Sequence, residues 1–300
     1  MSRPVSYQEA TARERLQQLF DAGSFEEFLP PAARVISPHL GQLNAPVAFD
    51  DGVAVGRARL NGLTVYTAAQ EGGFMGGAVG EVHGAKLVGL LRRAVQDQAA
   101  ALVLLVESGG VRLHEANAGL IAVSEVMRAL LDARAAGVPV IVLVGGANGA
   151  FGGMGIVARC ANVVIMSEEG RLAMSGPEVI ETASGVEEYD ARDRALVWRT
   201  SGGKHRYLMG DCQQIVADDI AAFRAAATQA ITNLTGQTVE LTLAALEAEQ
   251  QMLSERITRF GSLKDPVEIW SAMQIPDAAN LPMLDVDSFI ATASTRRLEA

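Results

Sequence analysis

An α/β fold around a buried parallel sheet is the fold class that this sequence predicts, from three observations. Strand-length segments, ALVLLVES, VPVIVLV and NVVIMSEE, have few polar residues, as strands covered on both faces do. Each of the first two is followed by a glycine-rich loop and then by a helix-length segment. The resulting order of strand, loop, helix and strand is the βαβ rhythm of an α/β core.

Composition excludes several classes of protein. The 300 residues are 49% hydrophobic and 20% charged, which suits a sizeable core and excludes disorder of the whole chain. A formal net charge of −10 argues against a protein that coats nucleic acid. We find neither a signal peptide nor the roughly 20 apolar residues of a membrane span. We therefore expect a cytoplasmic protein with no nucleic-acid partner and no membrane partner.

The elements follow in order from the N-terminus, where residues 1–50 are predicted to be separate from a single domain over residues 51–300. Residues 7–20 can form a short helix that stops before Gly23. The next segment, LPPAARVISPHLGQLNAP, contains four prolines. We expect it to be an extended linker or a wrapping arm that lies outside the core.

The domain itself begins with two short strands joined at Asn61-Gly62, a strong hairpin signal. A glycine-dense loop, EGGFMGGAVGEVHG, and a helix, KLVGLLRRAVQDQ, come next. The buried strands then alternate with a long helix and a short one. Amphipathic patterns predict two further helices, over residues 213–231 and 238–258.

The two glycine loops are the candidate site. A glycine pair directly after a buried strand lets the backbone approach a ligand with free N–H groups, and a helix that begins there adds its dipole. Two such loops can form an oxyanion hole, in which each donor is worth roughly 2.7–4 kcal/mol. Tight packing of helix on strand is the alternative explanation. The candidate catalytic residues are Gly109, Gly110, Val111, Gly152 and Gly153.

Side chains near the loops are further candidates. His114, Glu115 and His83 could supply a proton, although each has a structural alternative. Lys204, His205 and Arg206 are the best local basic patch for the phosphates of a nucleotide-type carrier, and a solvated charge cluster is the open alternative.

Metal and dinucleotide sites have weaker support. No two of the four histidines lie four residues apart, and two cysteines cannot form a four-cysteine zinc site, so we expect no metal. Gly153-x-Gly155-x-x-Ala158 fits a dinucleotide fingerprint, with Glu168 and Glu169 at a somewhat short spacing. A nicotinamide-dependent oxidoreductase is therefore an alternative function.

Four segments in order, GGFMGGAVGE, VESGGVRLHEA, GGANGAFGGMG and LAMSGPEVIE, resemble the carboxyltransferase branch of the crotonase superfamily. The resemblance spans about residues 52–235 and implies a crotonase-like spiral of ββα units whose backbone amides bind an acyl thioester. Val111 and His114 stand where the family usually has Ala and Gln, which leaves the backbone role intact. The residues assigned to the substrate or its CoA-like arm are Gly76, Gly77, Arg112, Phe151, Lys204, His205 and Arg206.

Within that branch, the chain resembles the beta-subunit family of biotin-independent malonate decarboxylases. The resemblance rests on the proline-rich arm, on the absence of a four-cysteine zinc ribbon, and on the run SGVEEYDARDRALVWRTSGGKHRYLMG. This resemblance implies a malonyl thioester carried on an acyl carrier protein through a phosphoribosyl-dephospho-CoA arm. It implies a homologous gamma subunit, an acyl-carrier transferase subunit, and decarboxylation without biotin to acetyl thioester and CO2. The alternatives are the beta subunit of a biotin-dependent acyl-CoA carboxylase and a non-catalytic assembly subunit.

Overall fold

The computed structural model describes residues 5–235 and 242–298. Within these ranges, seven strands form one mixed sheet in chain order. The first three strands pair antiparallel, and every later pair is parallel. The strands are β1 (Glu26–Glu27), β2 (Val53–Leu60), β3 (Leu63–Gln70), β4 (Ala101–Leu105), β5 (Val140–Val144), β6 (Val163–Ser167) and β7 (Gln214–Val216).

The predicted hairpin is confirmed. β2 and β3 pair along their whole length, and Leu60 faces Leu63 across a two-residue turn. Asn61 and Gly62 have φ values of 50° and 81°. A type I′ turn requires positive φ at both of its central residues, which is why Asn-Gly predicts it.

Helices cover both faces of the sheet. One face carries α2 (Glu81–Gln96), α3 (Asn117–Ala135) and α4 (Gly152–Arg159), and the other carries α1 (Ala12–Leu19) and α8 (Ile220–Leu234). In β4, Leu102 and Leu104 pack toward the first face, whereas Val103 and Leu105 pack toward the second. The prediction that this strand is buried on both faces is therefore confirmed. The helices are α1 (Ala12–Leu19), α2 (Glu81–Gln96), α3 (Asn117–Ala135), α4 (Gly152–Arg159), α5 (Pro177–Ser184), α6 (Arg194–Ser201), α7 (Gly203–Leu208), α8 (Ile220–Leu234), α9 (Leu243–Phe260), α10 (Pro266–Ala272) and α11 (Val286–Ala293).

The N-terminal part is integrated with the sheet. Leu16 and Leu19 of α1 belong to the same apolar cluster as β3 and β4. The expectation that the proline-rich arm stays outside the core is wrong at Leu40, which is fully buried, and at Ser37, which is also buried. The four prolines of this segment indicate an extended chain, but they do not show what that chain packs against.

The C-terminal third differs from its prediction at one helix start. Residues 214–216 form β7 beside β6, and the following helix begins at Ile220, capped by the Asp219 side chain. A stretch of three residues has too few positions to distinguish a strand from a helical turn. The second predicted helix corresponds to α9, capped by Thr242, and its predicted start at residue 238 lies outside the described residues.

The spiral of ββα units that the family resemblance implied is confirmed. Isolated β-bridges join the loops of successive turns outside the main sheet. These bridges pair Val79 with Val111, Ser108 with Ala150, and Ala150 with Leu172. The loop that follows one strand is thereby held against the loop that follows the next.

Candidate active site

Two glycine loops meet at one edge of the sheet. They follow β4 and β5, which are parallel neighbours, so both leave the sheet at its carboxyl edge. A β-carbon on Gly110 would lie 3.5 Å from the Cα of Gly152. Gly110 has a φ of 124° and Gly152 a φ of 56°, so both occupy backbone conformations that favour glycine. The structure thus brings the two predicted loops together.

The backbone hydrogen bonds separate the candidate donors into two groups. Gly109 N donates to Gly76 O at 2.8 Å, and Gly110 N donates to the Ser108 hydroxyl at 3.1 Å. Gly152 N donates to Met174 O at 2.9 Å. Val111 N and Gly153 N have no acceptor in the described part of the chain. These two amides are the donors available to a ligand.

The local structure explains why both amides are free. The bridge to Val79 uses Gly110 O and Arg112 N, each at 2.9 Å, and leaves the N–H of Val111 unused. Gly153 lies in the first turn of α4, where N–H groups have no partner four residues back. The dipole of α4 adds positive potential at this end of the helix.

A third glycine segment adjoins the first loop. Gly76 has a φ of 65° and open space where a β-carbon would stand. Gly77 packs so closely that a β-carbon would lie 1.9 Å from Glu107 O. Of these two predicted substrate contacts, Gly76 borders open space and Gly77 is a packing glycine.

Arg112 is an internal cation. Its guanidinium has no exposed surface and donates to both carboxylate oxygens of Asp51, at 3.0 and 2.8 Å, and to Glu115. Burial raises the pKa of Asp51, although Arg112 opposes the shift. These contacts do not support the predicted role of Arg112 in binding the substrate arm.

The three candidate proton donors differ in their surroundings. Burial, and then the charge of Arg112, lower the pKa of His83 to about 3, so its ring is neutral at physiological pH. Burial would raise the pKa of Glu115, but hydrogen bonds from the Ser37 hydroxyl and the Glu81 amide lower it overall. Glu115 is therefore ionised and cannot donate. His114 is exposed, directly after the first loop.

The predicted basic patch is occupied by internal contacts. Lys204 donates to Pro282 O and Leu284 O and lies 3.0 Å from the Glu168 carboxylate. His205 is buried, accepts from Trp270 Nε1, and has a pKa lowered to about 3, mainly by burial. Arg206 pairs with Asp211 at 3.0 Å. Because these contacts account for the three side chains, they do not support a phosphate site.

Two remaining glycine-loop features are packing features. Phe151 is buried at the start of α4, and its N–H donates to Ser108 O at 2.8 Å. Gly155, part of the dinucleotide fingerprint, lies where a β-carbon would be 2.5 Å from Ala173 O. Close packing therefore explains this glycine without a dinucleotide.

Sequence reasoning did not single out two buried carboxylates, Asp51 and Glu107. Glu107 is the one charged residue at the end of a strand that is otherwise apolar, and this was the available signal.

Within residues 5–235 and 242–298, no group of three or more His, Cys, Asp or Glu side chains could hold a metal ion. No helix in those ranges is long and apolar enough to cross a membrane.

The spiral fold and the facing glycine loops define a class of protein, the crotonase-like carboxyltransferases. The model of the carboxyl transferase domain family matches residues 6–242. The chain is 40% identical to the malonyl-S-ACP:biotin-protein carboxyltransferase of Malonomonas rubra, over 98% of this chain and 97% of that protein.

Solved structures agree with this assignment. A Pseudomonas malonate decarboxylase hetero-tetramer in complex with malonate contains a chain that is 36% identical, with a TM-score of 0.80 over 90% of this chain and 97% of that one. A Pseudomonas malonate decarboxylase MdcD-MdcE hetero-dimer contains a chain that is 34% identical, with a TM-score of 0.65 over 83% and 96%. The chain belongs to the carboxyl transferase domain family, among the carboxyltransferase subunits related to malonate decarboxylase.

Proposed function

We propose that this chain binds a malonyl thioester and, with a homologous gamma subunit, decarboxylates it to an acetyl thioester and CO2. The observation that carries the proposal is the pair of unused amides, Val111 N and Gly153 N, on either side of the contact between Gly110 and Gly152. Preorganised donors of this kind stabilise charge on a thioester oxygen.

These amides are needed at one step of the reaction, the loss of CO2. Decarboxylation breaks the bond between the α-carbon and the carboxylate, and the bonding electrons pass into the thioester as an enolate. CO2 leaves, and the negative charge develops on the thioester oxygen. Two N–H donors that are already oriented stabilise that charge without reorganisation.

A proton must then reach the α-carbon to form the acetyl thioester. His83 is neutral and enclosed, and Glu115 is ionised, so neither can act as a general acid at neutral pH. His114 is exposed and directly follows the first loop. We assign it as the proton donor of this chain.

The acyl group is proposed to arrive on an acyl carrier protein, through a CoA-like arm derived from phosphoribosyl-dephospho-CoA. The name of the Malonomonas relative, which includes malonyl-S-ACP as substrate, supports this carrier. Loading of the carrier requires a separate acyl-carrier transferase subunit. Gly76, with open space beside the first loop, is the predicted contact of the arm that fits best.

Exposed apolar side chains support docking of the gamma subunit around the loops. Leu113, Ile121 and Met174 are 85%, 63% and 68% exposed. Leu113 follows the first loop, Ile121 lies on α3, and Met174 accepts the bond from Gly152. These apolar side chains are available to a partner subunit that docks beside the loops. The Pseudomonas neighbours, a hetero-dimer and a hetero-tetramer, are complexes with further subunits.

A second function is favoured by one observation. The Malonomonas relative is named a carboxyltransferase that acts on a biotin protein. The same enolate would form in that reaction, but the carboxyl group would pass to biotin instead of leaving as CO2. The glycine loops serve both reactions equally.

The two functions are distinguished by co-expressing the chain with its partner subunit and supplying malonyl-CoA without biotin or ATP. We expect release of CO2 and formation of acetyl-CoA. A well-formed complex that transfers the carboxyl group only when biotin is supplied would establish the transferase instead. A complex with neither activity would overturn the proposal.

A further inference from the structure

The buried carboxylate of Glu107 links the two glycine loops. Glu107 immediately precedes Ser108 of the first loop and is 5% exposed. Its Oε1 accepts hydrogen bonds from the backbone N and the side-chain Nδ2 of Asn148, in the second loop, at 3.1 and 3.2 Å. One oxygen therefore links the loop of β4 to the loop of β5.

The surrounding backbone leaves space for this carboxylate. A β-carbon on Gly72 would lie 2.3 Å from Glu107 Oε1, and one on Gly146 would lie 2.2 Å from Oε2. Any other residue at either position would displace the side chain. Gly72 and Gly146 thus leave a compartment for one carboxyl group.

The counter-ion comes from the N-terminal helix. Arg15 of α1 is 2% exposed, and its Nη1 pairs with Glu107 Oε2. Its Nε donates to Tyr7 O at 2.8 Å, and its guanidinium lies 4.5 Å from the centre of the Tyr7 ring. A buried charge requires such a partner, since desolvation is otherwise uncompensated.

Each oxygen of Glu107 faces only donors, Asn148 on one side and Arg15 on the other. A glutamine has one acceptor oxygen, so its NH2 group would oppose either Arg15 or Asn148. Carboxylate chemistry is therefore required at this position, and not merely a side chain of that size.

We propose that Glu107, with Arg15 as its counter-ion, is a positioning residue that sets the spacing of the two loops and hence of the amides of Val111 and Gly153. The inference rests on the proposed function, in which those amides bind the thioester oxygen. It assigns to the N-terminal helix a part in organising the site.

The test uses the complex with its partner subunit and compares Glu107→Gln and Arg15→Met with the wild type. We expect kcat to fall about tenfold to a hundredfold, with KM for malonyl-CoA within about twofold because substrate-binding side chains are untouched. The matched control is Arg13→Met. Arg13 is also on α1 but pairs with Glu27 and Asp50, away from the loops, and its loss should leave kcat unchanged.

A spectroscopic readout separates positioning from stability. The carbonyl stretch of bound, carbonyl-labelled acetyl-CoA reports polarisation by the amides. It should be lowered in the wild type and return toward the free value in both variants. If either variant does not assemble, Asn148→Ala is used instead, because it keeps the ion pair between Arg15 and Glu107. It should lower kcat and shift the carbonyl frequency toward the free value, both to a smaller degree.

The failures are distinguishable. If the wild-type complex decarboxylates malonyl-CoA and lowers the carbonyl frequency, and the variants have the same kcat and the same frequency, the positioning role alone is overturned. A wild-type complex that does neither would overturn the proposed function, and the positioning role with it.

Discussion

Gly110 and Gly152 touch backbone to backbone across the two loops: a β-carbon on Gly152 would lie 3.1 Å from the Cα of Gly110. Both residues also have positive φ. Val111 and Gly153 directly follow these glycines, and of the five candidate donors theirs are the two amides without an acceptor in the described residues. The close approach of the two glycines therefore also places the free donors.

Replacing Val111 by proline should remove one donor selectively. The bonds to Val79 use Gly110 O and Arg112 N, so they do not depend on the amide hydrogen of Val111. We expect kcat for malonyl-CoA to fall about 10²–10³-fold, the cost of one oxyanion-hole donor. Steady-state kinetics of the complex measures this.

The control for that change is Val111→Ala, which keeps the N–H group and loses only the side chain. It should retain most of the activity. Equal kcat in an assembled Val111→Pro complex would show that this amide does not serve the reaction.

Replacing His114 by asparagine should slow protonation. We expect a loss of about 10²–10⁴ in kcat, the usual contribution of a general acid. His39→Asn is the control, because His39 is also exposed but lies in the arm, where it contacts Glu81 at the start of α2. Unchanged kcat in His114→Asn would assign the proton donor to the partner subunit.

Replacing Lys204 by methionine should affect stability and not substrate binding. The change removes the bonds to Pro282 O and Leu284 O and leaves Glu168 without its cation. We expect a lower Tm with KM for malonyl-CoA unchanged. Lys264→Met, at an exposed pair with Glu188, should alter neither quantity. A large rise in KM for Lys204→Met alone would restore the phosphate-site interpretation.

The fold should lose stability in mild acid through His83. Its pKa is lowered from 6.5 to about 3, so between these values the unfolded chain binds a proton that the folded chain does not. Stability is complete above pH 6.5 and falls as pH drops toward 3, by about 2 kcal/mol at pH 5 from this group.

Urea unfolding at pH 7.5 and pH 5 tests this dependence. The difference in unfolding free energy between the wild type and His83→Asn should shrink by about 2 kcal/mol at the lower pH. A difference that is equal at both pH values would mean that the pKa of His83 is the same in the folded and the unfolded chain.

Local chemistry explains which elements could be predicted. The hairpin at Asn61-Gly62 depends on two φ angles, and burial of β4 on both faces depends on an unbroken apolar run. Both are readable from neighbouring residues. The strand β7 and the burial of Leu40 depend on distant partners, so local patterns did not reveal them.

The same distinction holds within the site. Lys204, His205 and Arg206 form a basic run in the sequence, yet the C-terminal segments supply carbonyls to Lys204 and an indole to His205, and Asp211 pairs with Arg206. The position of Glu115 in the sequence suggests a proton donor, but the Ser37 hydroxyl, from the arm, donates to its carboxylate. Charge in a sequence does not show which groups the fold will place opposite it.

The sequence by itself determined the α/β class, the hairpin, the buried strands and the glycine loops at strand ends, because each rests on residues close together in the chain. Only the tertiary structure decided which amides are free and which cations make internal ion pairs and hydrogen bonds. It also decided that Arg15 pairs with Glu107, which is 92 positions away in the sequence. The physical reason is that hydrogen bonding and desolvation are settled between groups in contact, and the spiral brings those groups together from separate turns.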